Sequence, residues 1–91
     1  MSSDGRISVH PDAVFTRLGP DSATVLNLAT KRYYTLNGTG LRIWELIASE
    51  GSAARVAAAL HAEYEIGLEA ARERVDAFVG ELGAEGLVEV G

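Results

Sequence analysis

Any chemistry in this chain would have to be built from two histidines, thirteen carboxylates and no cysteine. The missing thiol excludes a disulfide, a thiolate metal site and a cysteine nucleophile. His61 has Tyr64 and Glu65 three and four residues further on, so all three share a helical face. One His–Glu pair is too few ligands to hold a metal without help from elsewhere. His10 is the only other imidazole, which leaves a Ser-His-Asp arrangement poorly supplied. The carboxylates at positions 63, 65, 69, 73, 76, 81, 85 and 89 are interleaved with Arg72 and Arg74, the pattern of a solvated helix face. Gly38-Thr39-Gly40 is too short for a phosphate loop and lacks its lysine. We read no acid–base pair, nucleophile or metal cluster, and expect no enzyme activity and no cofactor.

Charge narrows the partners. Residues 1–36 carry four basic groups against three acidic ones, while residues 37–91 carry four arginines against Asp76 and nine glutamates. The formal net charge of −5 therefore sits in the C-terminal part, where it repels a phosphate backbone. No apolar run has the ~18–20 residues of a membrane span, and no secretory segment opens the chain. The expected setting is the cytoplasm, with neither nucleic acid nor membrane as partner.

The elements that must position any site can be read from turns and periodicity. Val14–Leu18, Ala23–Leu28 and Arg32–Leu36 are rich in β-branched and aromatic residues. Gly19-Pro20-Asp21-Ser22 separates the first two: Pro20 presets φ, and Asp21 can bond its own backbone. Ala29-Thr30-Lys31 separates the second from the third. Such short connections imply an antiparallel meander. Period-2 counting puts Leu26 with Leu28, and Tyr34 with Leu36, on inner faces. Ile7-Ser8-Val9, before Pro11, reads as a short extra strand or arm, with residues 1–12 partly ordered. Beyond Asn37, where Asn37 or Thr39 can cap, Leu41, Trp44, Ile47 and Ala48 recur at helical spacing as far as Gly51. Ser52 caps a second helix with Val56, Ala57, Leu60 and Tyr64 on one stripe. A third, roughly Leu68–Glu85, runs a buried seam through Leu68, Ala71, Val75, Phe78 and Leu82. Gly86 closes it, and Leu87–Val90 is a short apolar tail of strand-like composition.

The expected fold is thus α+β and winged-helix-like, a three-stranded antiparallel sheet followed by three helices (β-β-β-α-α-α) in one domain spanning residues 1–91. In a DNA-binding winged helix the third helix would read the groove. Here residues 68–85 carry two arginines against five carboxylates, a balance that a groove repels. What remains is the edge of the sheet. The third strand carries one charge, Arg32, then Tyr33, Tyr34 and Thr35, and so does little to blunt an open edge. Such an edge is either covered by a loop or arm, or takes an extended peptide by strand addition.

The residues resemble a known family at this point. Val25–Leu28, then Lys31-Arg-Tyr-Tyr-Thr-Leu-Asn-Gly-Thr-Gly40 and Leu41-Arg-Ile-Trp-Glu-Leu46, are similar to the PqqD-like pattern of a strand, Tyr-x-Leu-Asn-x-x-Gly and Ile-Trp-x-Leu. Val56-Ala-Ala-Ala-Leu60, Tyr64, Val75, Phe78-Val79, Leu82 and Glu85-Gly-Leu-Val88 continue it, so the resemblance spans about residues 14–90. It is strongest to the free-standing recognition proteins of lasso-peptide clusters. Members of the PQQ pathway tend to carry Asp-Gly after the first helix, where this chain has Glu50-Gly51.

The resemblance implies a non-catalytic recognition element that binds the leader of a ribosomally made precursor peptide. It implies that the leader adds beside the third strand, rests against the third helix, and is delivered to a leader protease and an ATP-dependent macrocyclase. Carried over by position, the backbone of Arg32, Tyr33, Tyr34, Thr35 and Leu36 pairs with the peptide. Tyr33 or Tyr34 walls the groove, and counting by twos leaves open which. The third helix contributes Arg72, Val75, Asp76 and Val79, with Val79 apolar though off the seam and Arg72 available to an acidic leader residue. The alternatives are a PQQ-pathway-type peptide chaperone for a radical enzyme and a winged-helix DNA-binding regulator.

Overall fold

Three polar turns cut the N-terminal part into strands. In the computed structural model, which describes residues 6–90, these are β1 (Ile7–Val9), β2 (Ala13–Gly19), β3 (Ser22–Asn27) and β4 (Arg32–Asn37). Helices α1 (Gly38–Glu50), α2 (Ala53–Tyr64) and α3 (Leu68–Ala84) follow, and β5 (Val88–Val90) ends the described chain. β2, β3 and β4 form the antiparallel meander in that order. The expected three strands and three helices are present. A second, two-stranded sheet joins them: β1 pairs antiparallel with β5, Ile7 opposite Val90 and Val9 opposite Val88. The Ile7–Val9 segment is therefore a strand, and the apolar tail is its partner. The rest of the anticipated arm, residues 1–5, lies outside the described residues.

The helices cover one face of the meander. Ala23 and Val25 of β3 and Leu36 of β4 point into that layer and meet Leu41, Ile43, Trp44, Leu46 and Ile47 of α1. From the other side come Val56, Ala57 and Leu60 of α2, and Ala71, Val75 and Leu82 of α3. Fully burying each large aliphatic side chain contributes about 1.5–3 kcal/mol. Cβ positions alternate across a strand, so the opposite face of the sheet is open to solvent. There Val14, Leu26 and Tyr33 stand in register across three strands.

Each helix end has a local cause. The Ser52 hydroxyl accepts from the Arg55 N–H at 3.2 Å, the expected cap of α2. α1 begins after Asn37, which is extended and makes no side-chain cap bond, so neither Asn37 nor Thr39 caps as expected. Gly51 ends α1 at φ 75, and its N–H donates to the Ile47 carbonyl. At the end of α3, Gly86 (φ 73) donates to the Gly83 carbonyl and Leu87 donates to the Leu82 carbonyl, a Schellman closure.

Two expectations about facing are corrected. On β3 the inward residues are Ala23, Val25 and Asn27, not Leu26 and Leu28. Leu26 is only half-buried, and Leu28 sits past the strand, 42% exposed. A slip of one residue turns every side chain over, and here the register is held by a buried amide. Asn27 Nδ2 donates to the Glu85 carbonyl at 2.8 Å, and Asn27 Oδ1 accepts from the Ala29 and Thr30 N–H groups. Along the helices, Leu68 and Tyr64 lie at the ends of their stripes and are 53% and 44% exposed. The α3 seam is buried at Ala71, Val75 and Leu82.

Candidate functional site

β4 is an edge strand whose outer side pairs with no other described strand. The Gly38 N–H donates to the Asp21 carbonyl at 3.1 Å, one step beyond the Asn37–Ser22 pair. Antiparallel ladders alternate, so Leu36, Tyr34 and Arg32 turn their backbone groups toward β3. Tyr33, Thr35 and Asn37 present theirs outward. That row of unpaired donors and acceptors runs alongside α3.

Three contacts fix which face of α3 looks at β4. The Tyr34 ring meets Phe78 edge-on, with centroids 6.0 Å apart and planes at 71°. Its hydroxyl donates to Glu81 Oε1 at 2.5 Å. Arg32 pairs with Glu85 at 3.4 Å. Burial, then the acceptor Glu81, raises the Tyr34 phenol from its ordinary value near 10 to about 12, so it stays protonated and keeps donating. Tyr34, not Tyr33, therefore faces α3; Tyr33 is 72% exposed on the opposite face of the sheet.

Between this face and the start of α1 lies a cleft of about 220 Å³ lined by Thr39, Gly40, Ile43, Ala77, Phe78 and Glu81, with Arg74 at its rim. Arg74 also borders an adjoining 180 Å³ cleft with Thr39, Leu60, Tyr64 and Ile66. Gly40 keeps the floor open: a Cβ there would stand 3.4–3.5 Å from the Phe78 ring. Behind the cleft, Arg42 clamps α1 to α2 through Glu63 at 2.6–2.7 Å and also meets Glu45, which Arg17 of β2 bonds. Both carboxyls are held below their ordinary range by these guanidinium groups, Glu45 by Arg17 first and then Arg42, Glu63 by Arg42.

The structure divides the expected site. Arg32, Tyr34 and Leu36 point toward the helices while Tyr33 and Thr35 carry the outward backbone, so β4 supplies a continuous edge. Val75 is wholly buried in the core. Successive helical residues are about 100° apart, which carries Val79, Arg72 and Asp76 around α3, away from the face that meets Tyr34. Val79 is half-buried against the core, which accounts for an apolar residue off the seam. Arg72 bonds Asp76 at 3.0 Å and borders Leu68 and Glu69 beside Ala54 and Ala57 of α2. The cleft residues that sequence reasoning passed over are Arg74, Ala77, Phe78 and Glu81, together with Gly40. Their signal was a second face of α3 at i, i+4 and i+7, flanking the seam and opposite the small residues that open α1. Among the described residues no group of three or more His, Asp or Glu is placed to hold a metal ion, and no helix is long and apolar enough to cross a membrane.

No curated protein matches the chain. Two solved structures share its fold. One, described as "TbiB1 in Complex with the TbiA(beta) Leader Peptide", is 24% identical with a TM-score of 0.84, over 90% of this chain and 94% of that one. The other, "Lasso peptide synthetase B1 complexed with the leader peptide", is 24% identical with a TM-score of 0.81, over 92% and 98%. The family described as coenzyme PQQ synthesis protein D matches residues 23–88, from the start of β3 to the start of β5, and this chain belongs to that PqqD family.

Proposed function

We propose that the protein is a recognition element that binds the leader of a ribosomally made precursor peptide as an added strand on β4. The observation that carries this reading is the outward row of Tyr33, Thr35 and Asn37 beside the Phe78 cleft. Main-chain bonds to an edge tolerate many sequences, while side-chain clefts beside it confer choice. Two structures of the same fold are described as complexes with leader peptides, and that supports the same role here. β2 is also an edge, but a register shift between Arg17 and Gly19 interrupts it, a feature that disfavours added strands.

In this reading the chain does no chemistry of its own. It holds the leader extended and presents the precursor to a leader protease and an ATP-dependent macrocyclase of the same pathway. The matching family's description names coenzyme PQQ synthesis, and that supports one second reading, in which the chain is a peptide chaperone for a radical enzyme of that pathway. Titrating the purified protein with leader peptides from precursors encoded beside it tests the binding. Adding it to a protease–macrocyclase reaction tests the presentation: processing should speed up, and the protein alone should leave the precursor intact by mass spectrometry.

A further inference from the structure

The cleft beside β4 is not electrically uniform. At its Arg32 end, Glu85 meets Arg32 and Glu81 accepts from Tyr34, so both carboxylates are already engaged. At its other end, beside Thr39 and Gly40, stands Arg74. Among the described residues the Arg74 guanidinium has no hydrogen bond or ion pair, as is true of Arg6 and Arg55 away from the cleft and unlike Arg17, Arg32, Arg42 and Arg72. It lies seven residues from Glu81, about 10 Å along the helix axis, with Ala77 and Phe78 between. The lining thus runs from an unpaired cation, across an apolar floor, to a satisfied acidic end.

The geometry points to Arg74 as a specificity-determining residue that selects peptides with an Asp or Glu beside an apolar or aromatic anchor. The anchor sits over Phe78 and Gly40, and the acidic side chain lies at the Asn37 end of the added strand. This rests on the strand-addition reading and goes beyond it by naming the chemistry of the bound segment. The chain's net charge of −5 opposes an acidic peptide at long range. At ~0.15 M salt the screening length is about 8 Å, so that opposition fades while a direct Arg–carboxylate contact persists. The preference should therefore belong to one residue and disappear with it.

Selection from a displayed library of random twelve-residue peptides tests this on three proteins: the parent, Arg74→Gln and Arg74→Glu. Peptides enriched on the parent are expected to share one acidic position at a fixed distance from an aromatic or apolar anchor. Arg74→Gln should lose the charge preference, and Arg74→Glu should replace the acid by Lys or Arg. A synthetic peptide selected on the parent should bind Arg74→Gln about fivefold more weakly, the scale of a partly exposed charge-assisted bond. Enrichment without a charge preference, or the same acidic preference on Arg74→Glu, overturns the assignment. If the Tyr33 and Thr35 amides are still protected by those peptides, the strand-addition reading survives that failure. If no peptide is enriched over an unrelated protein, or those amides stay unprotected, strand addition fails and the assignment fails with it.

Discussion

The Tyr34 ring stands edge-on to Phe78, centroids 6.0 Å apart, while its hydroxyl bonds Glu81 one turn further along the same helix. One side chain thus fixes the distance between the free strand edge and the helix that faces it. Tyr34→Phe keeps the aromatic pair and loses only the hydroxyl bond, so peptide affinity should fall by no more than about 1 kcal/mol. Tyr34→Ala loses the pair as well, worth about 0.5–1.5 kcal/mol beyond its buried area, and should bind at least tenfold more weakly. Fluorescence anisotropy with a labelled leader peptide checks the order.

The same contact sets an alkaline limit. The Tyr34 phenol is raised in the folded protein to about 12, from an unfolded value near 10. A raised pKa favours the protonated, folded form, so this contribution is complete below pH ~10 and is lost as pH climbs through ~12. Tyrosinate absorbance should show a late component near pH 12 in the parent that is missing from Tyr34→Phe.

Asn27 ties the β3–β4 turn to the end of α3. Asn27→Ala leaves the Glu85 carbonyl and the Ala29 and Thr30 N–H groups without their partner. The cost should be about 2 kcal/mol, which in a domain of this size lowers Tm by roughly 8–16 °C. Gly86 faces the same amide, since a Cβ there would lie 2.9 Å from Asn27 Nδ2. Gly86→Ala should therefore destabilise as well, through both that clash and its φ of 73. Calorimetry measures both.

How much of this could be read beforehand depended on whether a signal was local. The three strands, the Ser52 cap and the buried Ala71–Val75–Leu82 ladder follow from turn residues and periodicity. The facing of β3 does not, because Leu26 and Leu28 outrank Ala23 and Asn27 in hydrophobicity. Only the carbonyls of residues 85 and 86, some sixty positions away, explain why an asparagine is turned inward. The β4 half of the site was legible as an unprotected edge. The facing of α3 is not: Phe78 fits the seam by its spacing, and Val79 falls off the seam yet packs against the core. Which face of α3 meets β4 depends on the angle between two elements joined by two other helices, and no local pattern encodes it.

Gly40 separates folding from binding. It lies inside α1 with ordinary backbone geometry, so Gly40→Ala should leave the thermal transition unchanged or raise it, by up to ~1 kcal/mol. The added methyl sits 3.4–3.5 Å from Phe78 and occupies the cleft floor, so leader affinity should fall several-fold. Glu63→Ala, on α2 behind the cleft, breaks the Arg42 clamp at a cost of at most ~1 kcal/mol and should leave affinity unchanged.

Amide hydrogen exchange with and without a leader peptide tests strand addition most directly. Ladder alternation predicts that the Tyr33 and Thr35 amides, which point outward from β4, become slower by at least tenfold when the peptide binds, while the Tyr34 amide, already bonded to β3, changes far less. Ala77→Glu, which places a charge in the cleft, should abolish that protection without altering exchange in the α1 core. Protection on Val14–Leu18 of β2 instead, or bound peptide with Tyr33 and Thr35 exchanging as before, contradicts the account.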